Sequence, residues 1–199
     1  MKRSALGFFD ARRVFHSPMF VFAVAILLCG MVAGSFTGMH IPQTDKAYMN
    51  RLSELLTRDY TMYSIRQSVA TAGCIAAWPV GVLIVSSGRG RELWTALILA
   101  ARGFLFSFSV TAAVVEYGWR GVCLSAAATG IPAIASLPAL ALISAAALLA
   151  GQRAGRRSYG TELRQYGGAL TLGALLLLAA VVWRLVVTPL LFSVIPWNL

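Results

Sequence analysis

The chain has 199 residues, of which 58% are hydrophobic and only 12% charged. A soluble domain carries about 25% charged residues, so the composition argues for a membrane protein and against a soluble fold. Seventeen Lys+Arg against seven Asp+Glu give a net charge of +10. The basic residues sit mainly between apolar runs and form no basic face with interleaved aromatics. That pattern fits membrane topology and anionic head groups, and argues against nucleic-acid binding.

A hydrocarbon core of about 30 Å is crossed by roughly 20 apolar residues as helix. Five stretches meet that length: 19–39, 69–87, 93–115, 122–150 and 169–195. The expected fold is therefore all-α, a single integral membrane domain over 1–199. The N-terminus reads as an anchor, because the run from Met19 to Met39 is too long for a cleavable signal. With the N-terminus in the cytoplasm, the inner segments 1–18, 88–92 and 151–168 hold ten Lys/Arg, and the outer segments hold five. The positive-inside rule then predicts a multi-pass protein of the cell membrane with its C-terminus outside, where Trp197 anchors the tail.

The first span carries Gly30, Gly34 and Gly38. Glycines at four-residue spacing form a groove into which another backbone can come close. The partner is either a helix of this chain or one of a second copy, which leaves a homo-oligomer open. Residues 40–68 form the one sizeable polar loop. Tyr48, Leu52, Leu55 and Leu56 recur there at helical spacing, predicting a short extracytoplasmic amphipathic helix. Such a helix either caps the bundle or docks a partner. Pro79 predicts a kink in the second span.

The stretch from Arg102 to Ala150 reads as two spans joined through Glu116-Tyr117-Gly118-Trp119-Arg120-Gly121. A break that short forces an antiparallel hairpin, with Gly118 and Gly121 allowing close packing. Gly130, Pro132, Ser136 and Pro138 predict that the second helix of the hairpin is bent or broken within the bilayer. Two arginines fall inside spans. Arg102 can snorkel inward. Arg184 is expected either to pair with Glu116 at the end of the third span or to snorkel to outer head groups.

Catalytic, cofactor and metal constellations are not found. His16 and His40 flank the first span on opposite sides, and the three cysteines have no metal-ligand spacing. Only two carboxylates, Glu92 and Glu116, fall at span edges, which is thin for proton-coupled transport.

Three features together resemble the stage II sporulation protein M family of bacterial membrane proteins. The first is the basic N-terminus with the Gly30/Gly34 span and an outer amphipathic loop. The second is the hairpin: Arg102-Gly103-Phe104, then Tyr117-Gly118-Trp119-Arg120-Gly121, then Leu137-Pro138-Ala139. The third is the closing Thr188-Pro189-Leu190-Leu191. Two departures stand out. Ala133 and Ser136 replace polar His and Glu residues common before the second proline of the hairpin. Arg184 is the nearest charge where the family tends to place a carboxylate. The resemblance implies a membrane scaffold acting in forespore engulfment. Its partners would be peptidoglycan-degrading enzymes resembling stage II sporulation proteins P and D, and the chain itself would not be an enzyme. The broken fourth span motivates the alternative, a membrane subunit of a transporter.

Overall fold

A computed structural model describes residues 12–40, 65–154 and 158–188, and among them there is no strand. After a helical turn at 12–15, α1 spans Pro18–Met39. Helix α2 spans Ile65–Val85, α3 Arg91–Tyr117, α4 Trp119–Ser125 and α5 Ile131–Arg153. The short α6, Tyr159–Gln165, leads into α7, Gly167–Val182. Two single turns of π-helix, Ala126–Gly130 and Trp183–Val187, lie before α5 and after α7.

Four helical stretches are long and apolar enough to cross a membrane: Pro18–Met39, Arg91–Tyr117, Ile131–Arg153 and Gly167–Val187. These fit a membrane location. Helix α2 has 21 residues, but the apolar stretch described in it is the shorter Gly73–Val85. The expected amphipathic helix with Tyr48, Leu52, Leu55 and Leu56 lies outside the described residues, as do the end of the last predicted span and the Trp197 tail.

Local chemistry sets the ends of α1. Ser17 caps its start, its Oγ accepting from Phe20 N–H at 3.3 Å, and Pro18 occupies the first turn, where its missing N–H costs nothing. At the other end the His40 ring nitrogen Nδ1 lies 2.8 Å from the Phe36 carbonyl.

Helix α5 is the axis of the bundle. In its most apolar 18-residue window 78% of residues are buried, against 22% for α1, 28% for α3 and 11% for α7. Its inner stretch is almost wholly Ala and Leu, so neighbouring helices can approach from every side. One cluster joins it to α1, α2 and α3 through Ala23, Leu27, Val82, Leu99, Leu140 and Ala141. A second joins it to the 12–15 turn, α6 and α7 through Val14, Leu142, Ala146, Ala150, Tyr166 and Ala169.

Contacts fix the helix directions. Helices α2 and α3 form an antiparallel hairpin, with Ser86 Oγ and Thr95 Oγ1 3.3 Å apart near its turn. The end of α5 meets the start of both α1 and α3, since Gln152 Nε2 lies 3.3 Å from Glu92 Oε1 and 3.7 Å from Met19 Sδ. One end of the bundle thus collects Arg12, Arg13, Arg89, Arg91, Arg153 and Arg164. The described arginines at the opposite end are Arg66 and Arg120.

The predicted tight turn is a single residue. Gly118 ends α3 and starts α4 at φ 57°, ψ −131°, a conformation that side chains with a Cβ disfavour. Three residues on, a Cβ at Gly121 would overlap the Ala113 carbonyl oxygen. The expected break in the next span takes the form of the π turn Ala126–Gly130, followed by Pro132 in the first turn of α5 and Pro138 inside it.

Gly118→Ala should cost about 1–3 kcal/mol through backbone strain alone, because the space around its Cβ is open. Gly121→Leu should cost more, because the obstacle there is backbone. Reversible unfolding in mixed micelles measures both. Equal, negligible losses would contradict the one-residue turn.

Candidate functional site: the small-residue seam and the intramembrane arginines

Helices α1 and α3 pack backbone to backbone. A Cβ at Gly30 would overlap the Ala100 carbonyl oxygen, and one at Gly34 would overlap the Phe104 carbonyl and Ser107 Oγ. At Gly38 it would lie 2.9 Å from Thr111 Cβ. From the other side, Gly103 faces the Leu27 carbonyl in the same way. Positions 30, 34 and 38 thus meet 100, 104 and 111 in rising order, so the two helices run parallel. The glycine ridge is filled from within the chain and is not a free face for a second copy.

Glycine at these positions lets backbone touch backbone, which is the main source of helix association once both surfaces are already out of water. One hydrogen bond is added across the seam, from Ser107 Oγ to the Met31 carbonyl at 2.6 Å. That carbonyl belongs to the helix ladder and is reached only because Gly30 and Gly34 bring α1 so near.

The opposite face of α1 is bare. Val21, Leu28, Val32, Phe36 and Met39 are all more than half exposed, as suits side chains facing lipid. Cys29, Cys74 and Cys123 are free and exposed. Among the described residues, no group of His, Cys, Asp and Glu could hold a metal ion.

Two arginines lie within the apolar helices. Arg102 lies over the Trp78 ring at 5.6 Å from its centroid, a cation–π contact between α3 and α2. Arg184, in the π turn after α7, is near enough to Arg102 for the like charges to act on each other. Glu116 lies fourteen residues beyond Arg102 on the same helix, about 21 Å at 1.5 Å per residue, and is exposed. Glu116 sits in the last turn of α3 and Arg184 in the π turn after α7.

Pro132 is buried in the first turn of α5, whereas Pro138 is exposed and borders an open cleft between α1 and α5. The cleft has a volume of about 520 Å³ and is lined by apolar residues from Phe20 to Met31 on α1 and from Gly130 to Ala141 around the start of α5. Ser136 is buried, and Thr129 in the π turn donates its hydroxyl to the Ser125 carbonyl at 2.8 Å.

Sequence reasoning missed the connecting helix α6. Glu162 is only 4% exposed there, and Arg153 stacks on Tyr166 at 5.7 Å. Burial pushes the Tyr159 phenol up from its ordinary value, and its hydroxyl has no hydrogen-bond partner among the described residues. The Gly-rich, basic stretch 151–168 reads as a plain loop because its apolar anchors are too few for a period to emerge.

No protein-family description, curated protein or solved structure matches the chain.

Ser107→Ala should destabilise by about 0.6 kcal/mol, the usual value of one interhelical hydrogen bond in a membrane. Gly34→Leu should cost about 3 kcal/mol or more, since backbone on both sides must move. A reversed ranking in micelle unfolding would show that polar bonding holds the seam. Tyr159 prefers its proton in the folded state, so its influence is nil below about pH 10 and destabilising as pH rises through the folded value. Tyr159→Phe should flatten that alkaline loss, and an unchanged alkaline limb would contradict it.

Proposed function

We propose that the chain is a membrane scaffold that gathers peptidoglycan-remodelling enzymes during forespore engulfment. The resemblance to the stage II sporulation protein M family supplies the process. The character of the cleft beside α5 supplies the choice between classes. A transport subunit would route a polar substrate past the broken helix, and such a route needs polar groups at mid-depth. The cleft beside the π turn is lined by apolar side chains, and Ser136 lies buried away from it. This favours a molecule that offers surface to partners over one that conducts. The transport reading retains in its favour only the π turn itself, a feature often found at functional positions.

In this reading the protein has five spans, with α2 crossing as the second. The gathering of Arg12, Arg13, Arg89, Arg91, Arg153 and Arg164 at one end favours placing that end in the cytoplasm. Partners would be engaged outside, through the loop with Tyr48, Leu52, Leu55 and Leu56. Membrane lipid surrounds the remaining faces, and no cofactor takes part.

Two experiments test this. The full chain should co-purify in detergent with hydrolases resembling stage II sporulation proteins P and D, and lose them when the 41–64 loop is replaced by a Gly/Ser linker. No association in either form would overturn the scaffold. On a cysteine-free background in intact cells, Trp119→Cys should react with an impermeant maleimide and Ser87→Cys should not. The reverse pattern would invert the topology.

A further inference from the structure

We infer that the cleft between α1 and α5 is a binding site for one anionic phospholipid, with an acyl chain in the cleft and its head group on the basic end of the bundle. The inference rests on the membrane setting and is independent of the scaffold reading.

The cleft arises from the backbone. Helices α1 and α5 touch at the basic end, where Met19 meets Gln152. Further along, α5 emerges from the π turn carrying Pro132 and Pro138, and Gly130 and Ala133 offer no bulk to fill the space beside α1. The result is a slot of about 520 Å³, open to the hydrocarbon and walled by Val24, Leu28, Met31, Ile134 and Leu137. Ile134 and Leu28 are 75% and 52% exposed, so the slot is accessible from the bilayer.

Charge identifies the occupant. The slot begins at Phe20, which packs edge-to-face on Phe15 at 5.0 Å. Arg12 and Arg13 lie in the turn that holds Phe15, and both are exposed. Arg153, also exposed, closes α5 one residue past Gln152, the partner of Met19. Three cations therefore stand at the end toward which the apolar slot runs, Arg153 twelve residues or about 18 Å beyond Ala141 along α5, a span that one phospholipid covers from acyl chain to head group. Each is worth roughly 1 kcal/mol toward an anionic lipid surface. A second copy fits less well, because a two-fold axis along the membrane normal would bring two such basic ends together in a chain already at +10.

The test is native mass spectrometry of the full chain in detergent, titrated with equimolar phosphatidylglycerol and phosphatidylcholine of identical acyl chains. One phosphatidylglycerol should be retained in preference. Ile134→Trp and Leu28→Trp, both at exposed positions of the wall, should each abolish that one-lipid peak. Replacing Arg12, Arg13 and Arg153 by Gln should lower the preference by about fivefold per arginine. Equal retention of the two lipids overturns the proposal. So does a one-lipid peak that survives both Trp variants, or a dimer mass that the Trp variants remove, which would assign the slot to a second copy.

Discussion

Backbone against backbone along α1 and α3 is the constraint on which the rest of the structure depends. Gly30 and Gly34 meet the carbonyls of Ala100 and Phe104, while Gly103 meets that of Leu27. In lipid, neither helix gains by hiding apolar surface from water, so association has to come from contact and from hydrogen bonds. Close contact needs residues without side chains at matching intervals on both partners. Once the two helices are fixed in parallel, the chain between them must return across the bundle, and α2 is that return. Its tight connection to α3 through Gly88, Arg89 and Gly90 follows from the same requirement.

The central position of α5 is the second consequence. A parallel pair leaves one broad face to be covered, and a helix rich in Ala and Leu can be covered by several neighbours at once. Its end at Gln152 and Arg153 reaches the starts of α1 and α3, so charge gathers where three segments converge. Its opposite half is displaced by a π turn and two prolines, which opens the slot along α1. Tight packing at one end and separation at the other thus come from the same helix.

The class of protein was legible from composition, because repeated apolar runs near 20 residues long are hard to reconcile with a soluble fold. The glycine spacing announced a close approach but not its partner, since Ala100, Phe104 and Thr111 carry no pattern distinctive from other small or apolar residues. Gly118 was visible as a turn, although its positive φ belongs to geometry and not to spelling. The facing of the helices was not legible. Arg184 and Glu116 carry opposite charges, yet the rotation of a uniformly apolar helix such as α7 leaves no trace in its residues. The π turns were equally hidden, because one extra residue in a turn changes the phase of a helix without changing its composition.

The seam is tested most directly by a cross-link within it. A Cβ built at Gly38 lies 2.9 Å from Thr111 Cβ, close to disulfide geometry after a small adjustment. In a chain otherwise free of cysteine, Gly38→Cys with Thr111→Cys should oxidise in membranes to a species of monomer mass, whereas Gly38→Cys with Ala96→Cys should not. A bond formed only between two chains, or one formed through position 96, would contradict the parallel pairing of α1 and α3.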